Sequence, residues 1–131
     1  MKIYLVDDND TFRANLKLYL EGHLNYQVIG ETDSGRVFLD ATNVSADVVL
    51  MDINMPELNG VDTTKFSTWQ NRNLKIIAVS QYKENVDLQQ LIGAGFKGFV
   101  SKTNLFSDLD RAIKTVAEGG YFFPEGIKIS F

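Results

Sequence analysis

The stretch KIYLVDDND, residues 2–10, joins a short apolar run directly to three closely spaced aspartates. The run is rich in apolar β-branched and aromatic residues, which is typical of a strand buried on both faces. Asp7, Asp8 and Asp10 repel one another, and partial burial makes that repulsion stronger. A positive partner is therefore expected close to the end of this strand.

The pattern of an apolar run followed by a helical segment recurs along the whole chain. Further strand candidates are YQVIGE (26–31), DVVLM (47–51), LKIIAVS (74–80) and FKGFVS (96–101). The segments after these runs carry apolar residues at helical spacing, which predicts five amphipathic helices. The alternation predicts an α/β, flavodoxin-like (βα)5 fold, a doubly wound parallel sheet with strand order 2-1-3-4-5.

Sequence signals also mark the ends of the predicted helices. Asp10 or Thr11 is a candidate N-cap for the first helix, and Ser34 is a candidate for the second. The third helix is predicted to run from about residue 61 to 69, after a turn that contains proline and glycine. The glycine pair at 119–120 is expected to end the fifth helix.

Composition and charge exclude several classes of function. The chain has 131 residues, a net charge of −4 and no cysteine. Without cysteine there are no disulfides, no thiolate catalysis and no cysteine-ligated metal site. The acidic balance argues against a basic nucleic-acid-binding face in this segment. No stretch has the length of a signal peptide core or a membrane span, which predicts a cytoplasmic protein without a membrane partner.

Chemically useful side chains follow four of the five predicted strands. Ligands of such sheets bind beyond the carboxyl ends of the strands, where the winding reverses. Asp7, Asp8 and Asp52 are expected in one cleft there, with Ser80 and Lys102 on its far wall. Carboxylate oxygens suit Mg²⁺, and a carboxylate can also attack phosphorus. Asp52 is the expected nucleophile because Asp7 and Asp8 are better used on the metal, while lysine and hydroxyl bind phosphoryl oxygens.

Each of these residues has a purely structural interpretation as well. Asp7 and Asp8 could form a solvated strand end, Ser80 could form a turn, and Lys102 could be a surface charge. His23 is the only histidine, and it follows the first helix without a visible catalytic partner. The convergence of residues from four separate stretches favours a site over these separate interpretations.

At this point the residues resemble a known family, the receiver domains of two-component response regulators, over roughly residues 2–120. The resemblance rests on LVDDND, on DVVLMDINMPELNG with its Asp-x-x-Met-Pro-x-x-x-Gly pattern, on IIAVS and on GAGFKGFVSK. It implies that Asp52 is the phosphorylated aspartate. It also implies that Asp7, Asp8, Asp52 and the main-chain carbonyl of Asn54 bind Mg²⁺.

The resemblance assigns further residues to a conformational switch. Ser80 matches the switch hydroxyl, Phe99 the switch aromatic, and Lys102 the lysine beside the phosphoryl group. Phosphorylation is expected to draw the Ser80 hydroxyl toward the phosphoryl oxygens and to turn Phe99 inward. The side chains of Asn54 and Tyr82 are expected to tune how long the phosphoryl group survives.

Two features outside the site bear on the kind of regulator. Lys102 is followed by Thr103 where many receivers have proline, and a cis bond without proline costs roughly 3 kcal/mol, so the sequence leaves the isomer of this bond open. The segment LDRAIKTVAEGGYFFPEG is similar to the receiver-to-linker region of LuxR/NarL/FixJ-like regulators, which carry a C-terminal helix-turn-helix domain. The implied organisation is a receiver domain at 1–120 and the start of a linker at 121–131.

The same resemblance implies the partners and the kind of activity. It implies a sensor histidine kinase as phosphoryl donor, a phosphorylation-dependent homodimer, and DNA contact only through a further output domain. Catalysis would be confined to the domain's own phosphorylation and dephosphorylation. The alternative within the family is a stand-alone receiver that acts through protein contacts, with the apolar tail packed on its own surface or on a partner.

Three rival functions fit the sequence less well. A haloacid-dehalogenase-type phosphatase would open with the Asp-x-Asp of residues 8–10, but Phe12 stands where it needs threonine or valine, and no acidic pair follows Lys102 on a further strand. A flavodoxin-like FMN carrier needs a phosphate-binding loop where this chain has carboxylates, which repel phosphate. A degenerate receiver would lack some of the chemical residues, and here all of them are present.

Overall fold

The computed structural model describes residues 1–41, 45–81 and 87–123. Five strands form a single sheet: β1 (Lys2–Val6), β2 (Gln27–Thr32), β3 (Val48–Asp52), β4 (Ile76–Ser80) and β5 (Gly98–Ser101). Five helices alternate with them: α1 (Asp10–Gly22), α2 (Gly35–Asp40), α3 (Gly60–Gln70), α4 (Leu88–Ala94) and α5 (Leu105–Ala117). No helix in the described ranges has the length and apolar character needed to cross a membrane.

The sheet has the order β2-β1-β3-β4-β5 and all of its strand pairs are parallel, which confirms the predicted fold class. In the β1–β3 pair, Val6 lies opposite Met51, so the residues that follow them, Asp7 and Asp52, leave the sheet side by side. β4 and β5 are in register at Ser80 and Ser101. The carboxyl ends of the four strands β1, β3, β4 and β5 therefore line one edge.

Apolar side chains cover both faces of the sheet. α1 and α5 pack on one face, where Leu16, Leu20, Leu109 and Ile113 join the strand residues. The other face is covered by the second apolar cluster, to which the helices α2 and α4 contribute buried residues. Every residue of β3, β4 and β5 is buried, as expected for strands with helices on both sides.

The N-cap of α1 corrects one prediction. The capping residue is Asn9, not Asp10 or Thr11, because Asn9 has the extended backbone of a cap and its side chain accepts the Phe12 N–H at 2.9 Å. Asp10 is the first helical residue. There its charge interacts favourably with the helix dipole and pairs with Arg13 at 2.8 Å.

The other predicted helix ends lie within two residues of the observed ones. Ser34 caps α2 as predicted, and its side chain accepts the Val37 N–H at 3.3 Å. α3 extends one residue further at each end than predicted. α5 ends at Ala117, before the predicted glycine pair, and Gly119 has the positive φ of 94° that turns the chain away.

The packed chain continues beyond the predicted boundary at residue 120. Phe122 forms a parallel bridge at the outer edge of β5: its N–H donates to the Lys97 carbonyl at 3.0 Å, and its carbonyl accepts the Phe99 N–H at 2.8 Å. The side chains of Phe122 and Phe123 pack against opposite faces of the sheet. The folded unit therefore includes the first three residues of the stretch 121–131 that the sequence assigned to a linker.

Candidate functional site

Three carboxylates meet where β1 and β3 end. Asp7 and Asp52 are 3% and 5% exposed, whereas Asp8 faces solvent. Each of the three offers an oxygen, and these oxygens all lie within 4.8 Å of one another. The structure thus places Asp7, Asp8 and Asp52 together, as the strand order predicted.

Lys102 is the cation beside these carboxylates. Its Nζ lies 3.0 Å from Asp7 Oδ2 and 3.8 Å from Asp52 Oδ2. The ammonium also lies 4.0 Å from the centre of the Phe12 ring, so an aromatic face covers the charge where solvent would otherwise approach. No cis peptide bond occurs in the described segments, so the Lys102–Thr103 bond is trans. The partner that the crowded aspartates require comes from the end of β5.

Arg13 is a second cation at the site, and sequence reasoning missed it. Its guanidinium donates to the main-chain carbonyl of Asp7, pairs with Asp10 at 2.8 Å and pairs with Glu31 at 2.9 Å. These contacts fix the backbone at the end of β1. The available signal was the three-residue spacing of Asp10 and Arg13, which places both on one side of a helix.

Asn54 connects the nucleophile candidate to the switch hydroxyl candidate. Its N–H donates to Asp52 Oδ1 at 3.1 Å, and its Nδ2 donates to Ser80 Oγ at 3.3 Å. Ser80 is 1% exposed at the end of β4. Tyr82, the other residue expected to tune phosphoryl lifetime, lies outside the described residues.

Phe99 is fully buried in the cluster that α4 covers. The family resemblance implies that this ring turns inward when Asp52 is phosphorylated. Because the ring is already inside the molecule in this structure, any response of Phe99 is a repacking within the core and not a move from solvent.

Burial raises the pKa of Asp52 to about 7, and the neighbouring charge of Asp7 adds to the shift. The Asn54 N–H and the charge of Lys102 act in the opposite direction, and they do not cancel the rise. A hydrogen bond with Asp8 raises the pKa further. The site therefore lacks positive charge, and a bound cation would relieve the repulsion.

Gly60 explains the last position of the Asp-x-x-Met-Pro-x-x-x-Gly pattern. A Cβ at this residue would lie 2.0 Å from the Asp52 carbonyl oxygen, which is far inside any allowed contact. The loop between them is anchored by the buried side chain of Met55 and closed by Asn59, which caps α3 by accepting the Asp62 N–H at 2.8 Å. The glycine lets α3 begin directly against the backbone of Asp52.

The residues present fit a magnesium ion. Mg²⁺ binds oxygen at about 2.1 Å, so oxygens of one octahedron stand roughly 3 to 4 Å apart. Three carboxylate oxygens spread over at most 4.8 Å need only a small contraction to meet that spacing. The cleft beside them measures about 290 Å³, with room for water ligands, and is lined by Asp8, Asn9, Asp52, Asn54, Gln81 and Lys102.

A comparison with protein families decides the family. Residues 3–114 match the response regulator receiver domain. This chain belongs to that family. The match covers all five strands except Lys2 and all but the last turn of α5, so the receiver domain accounts for nearly all of the described fold.

Similar receiver domains occur in LuxR/NarL-family transcriptional response regulators. The chain is 32% identical over 120 residues to the response regulator GacA of Pseudomonas syringae, covering 91% of this chain and 56% of GacA. It is 30% identical over 129 residues to a nitrate/nitrite response regulator homologue of Haemophilus influenzae, covering 98% and 62%. The chain spans little more than half the length of these relatives.

Solved receiver structures share the fold. The isolated receiver domain of RcsB from Salmonella enterica, determined with the phosphomimetic BeF₃⁻, superposes with a TM-score of 0.82 at 22% identity, covering 97% of this chain and 95% of that one. The corresponding domain of CheB from Thermotoga maritima gives 0.80 at 23% identity, covering 90% and 96%. At these identities the similarity concerns the fold.

Proposed function

We propose that this receiver domain is a phosphorylation-dependent signalling switch that accepts a phosphoryl group on Asp52 from the phosphohistidine of a sensor histidine kinase. The observation that supports the proposal most strongly is the convergence of three carboxylates and the Lys102 ammonium on one cleft at the switch point of the sheet. Membership of the receiver family supports the same role.

In the proposed transfer, one carboxylate oxygen of Asp52 forms a bond to phosphorus as the P–N bond of the donor breaks, and the imidazole nitrogen keeps the electron pair. Mg²⁺, when bound, would neutralise negative charge on the phosphoryl oxygens. Asp7, Asp8, Asp52 and the Asn54 carbonyl would hold the ion. Lys102 would move only slightly from Asp7 to bind a phosphoryl oxygen, since it already lies 3.8 Å from Asp52.

The proposed switch uses Ser80 and Phe99. A phosphoryl oxygen on Asp52 would compete for the Ser80 hydroxyl that Asn54 now contacts at 3.3 Å. Movement of this buried group would repack the core around Phe99 and with it the surface of α4 and β5. Asn54 would then be released to influence attacking water, which fits its expected role in setting the phosphoryl lifetime, together with Tyr82.

We infer a transcriptional output for the longer protein to which such receivers belong. Among the relatives is the transcriptional regulatory protein DegU of Brevibacillus brevis, and this chain matches 54–62% of the length of DegU and the two response regulators described above. In a solved structure, dimers of the similar protein RcsB are bound to DNA. By analogy, phosphorylation would promote a homodimer whose output domains bind DNA, because the net charge of −4 on this chain disfavours a duplex. A receiver acting alone through protein contacts is the alternative.

Incubation with acetyl phosphate, with and without Mg²⁺, tests the central step. Small phosphoryl donors should suffice, because positioning and charge neutralisation supply most of the rate. We expect intact-mass spectrometry to show one added phosphoryl group only with Mg²⁺, and none in Asp52→Asn. Labelling of Asp52→Asn at the level of the unaltered protein would refute the assignment. If Asp8→Asn were not labelled while Asp52→Asn was labelled normally, Asp8 would be the nucleophile. That result would favour the haloacid-dehalogenase-type phosphatase.

A further inference from the structure

A groove lies between α3 and α4, at the edge of the sheet opposite the carboxylate site. It encloses about 520 Å³, and its lining includes Lys65, Phe66, Trp69, Arg72, Gly93 and Lys97. Lys97 stands just before β5, while Lys102 at the phosphorylation site stands just after it. One strand length, roughly 13 Å, therefore separates the groove from the Asp52 cleft.

The packing of α3 on α4 forms the floor of this groove. Thr68 Oγ1 donates to the Ala94 carbonyl at 2.8 Å, which ties the two helices together. A Cβ at Gly95 would lie 2.5 Å from Thr68 Oγ1, so glycine is needed for this approach, and Gly95 also has a positive φ of 105°. Gly93 carries no side chain to fill the space above the floor. The groove is consequently present before any partner binds.

Two aromatic side chains in the groove are exposed to an unusual degree. Trp69 is 79% exposed and Phe66 is 45% exposed. Tryptophan and arginine are the residues most enriched among those that dominate binding energy at protein interfaces. Exposed tryptophan beside Arg72 therefore points to a surface that a partner covers.

The charges of the groove all have the same sign. Lys65, Arg72 and Lys97 line it, and no acidic residue does. In the part of the chain that the structure describes, neither Lys65 nor Arg72 has an ion pair or a side-chain hydrogen bond, and Lys97 only faces the Tyr121 ring at 5.3 Å. Five cations elsewhere in the described residues have carboxylate partners, namely Arg13, Lys17, Lys102, Arg111 and Lys114, so the unpaired cations of the groove are not the general rule. Three cations without acidic partners on a chain of net charge −4 are a localised positive patch.

We propose that this groove, defined by Lys65, Phe66, Trp69, Arg72 and Lys97, is a docking site for an acidic peptide segment of another protein that inserts a bulky apolar residue. Charge complementarity selects the acidic partner, and the aromatic walls select the apolar anchor. A small ligand would leave most of Trp69 uncovered, whereas binding sites for small molecules enclose most of their ligand. The proposal is independent of the function proposed for Asp52.

Trp69 provides the measurement, because it is the only tryptophan in the chain. The full chain is titrated with the blocked peptide EELFEE, and with KKLFKK as the charge-reversed probe, while tryptophan emission is recorded. We expect a saturable blue shift with EELFEE, weaker at high salt, and none with KKLFKK. In a parallel NMR titration, the amide signals of Gly93 and Gly95 should move.

Charge-reversal variants make the test specific. Arg72→Glu and Lys65→Glu should each weaken EELFEE binding about tenfold, whereas Arg36→Glu, which alters an exposed cation on α2, should leave it unchanged. Labelling of Asp52 by acetyl phosphate should be equal in all three variants and in the unaltered chain. Because labelling and peptide binding are measured separately, a negative result for the docking proposal can be distinguished from a negative result for phosphorylation of Asp52.

Four outcomes would overturn the docking proposal. One is the absence of any shift at peptide concentrations of about 1 mM, where even weak contacts are populated. Another is an equal response to KKLFKK. A blue shift produced by raising the protein concentration alone would assign the groove to a second copy of this chain. A stronger response to phosphatidylglycerol vesicles than to EELFEE would assign it to a lipid surface.

Discussion

Lys102 Nζ lies between two buried carboxylates, 3.0 Å from Asp7 Oδ2 and 3.8 Å from Asp52 Oδ2. This position lets one ammonium moderate the repulsion within the acidic cluster and still reach a phosphoryl group on Asp52. The same ammonium therefore stabilises the unphosphorylated site and is positioned for the proposed transfer.

Replacing the ammonium should separate these two effects. In Lys102→Gln we expect phosphorylation by acetyl phosphate to slow about 10- to 100-fold, because a charge that would bind the phosphoryl oxygens is lost. Mg²⁺ should bind more tightly to this variant, because the site becomes more negative. The control is Lys17→Gln, which removes a solvent-facing partner of Glu31. Slower labelling in both variants, or unchanged labelling in Lys102→Gln, would contradict the role of Lys102.

The raised pKa of Asp52 predicts how the stability of the metal-free protein depends on pH. Its pKa rises from 3.8 to about 7 on folding, so between these values the folded state binds more protons than the unfolded state. The contribution of Asp52 to stability is therefore fully present below about pH 4 and is lost as the pH rises toward 7.

Asp52→Asn should remove this dependence. At pH 7 without metal, urea unfolding should show the variant more stable than the unaltered chain by on the order of 2 kcal/mol. Saturating Mg²⁺ should stabilise the unaltered chain more than the variant and narrow the difference. If the variant were less stable at pH 7 and its stability depended on pH as in the unaltered chain, the ionised Asp52 carboxylate would not be destabilising the folded state.

Gly60 and Gly93 form a matched pair of substitutions. Gly60→Ala should destabilise the protein by about 2 kcal/mol or more and slow labelling of Asp52, because its Cβ would displace the Asp52 carbonyl. Gly93→Ala lies inside α4, where a Cβ meets nothing within 4 Å, and should be neutral or stabilising by up to about 1 kcal/mol. Thermal unfolding and acetyl phosphate labelling of both variants provide the check. Equal stabilities of the two variants would mean that the backbone at Asp52 shifts away from a Cβ at position 60 with little loss of free energy of unfolding.

How far the fold follows from the sequence differs between elements. The strands were predictable because KIYLV, DVVLM and IIAVS are short, largely apolar runs. Such a run is stable as a strand when helices cover both faces of its sheet. Strand order then placed Asp7, Asp8, Asp52 and Lys102 together without knowledge of a single contact. Repulsion within DDND also predicted a cation, although it did not indicate which one.

Other features depend on geometry that residue types do not encode. Asn9 and Asp10 are both good N-caps, and only the backbone angles at the end of β1 decide between them. Arg13 has ordinary helical spacing, and its contact with the Asp7 carbonyl appears only once β1 and α1 are joined. Phe122 follows a glycine pair typical of a helix end, so its return to the edge of β5 was not visible in the sequence.

The edge bridge of Phe122 yields a further prediction. Phe122→Ala should lower the free energy of unfolding by about 1 to 3 kcal/mol, because the ring packs on the α1–α5 side of the core. The centre of the ring also lies 5.4 Å from the guanidinium carbon of Arg111. Phe106→Ala is the control, since that ring is 73% exposed and should cost less than about 1 kcal/mol. Chemical denaturation of both variants compares them. Equal losses would show that packing of the Phe122 ring does not contribute to the stability of the folded receiver.

The role proposed for Asp52 is tested most sharply by identifying the residue that carries the phosphoryl group. After reaction with acetyl phosphate and Mg²⁺, borohydride reduction converts an aspartyl phosphate to homoserine, and peptide mass spectrometry locates the change. The expected result is homoserine at position 52 and at no other aspartate. Homoserine at position 8, or a phosphoryl group that resists reduction and maps to a serine or threonine, would contradict it.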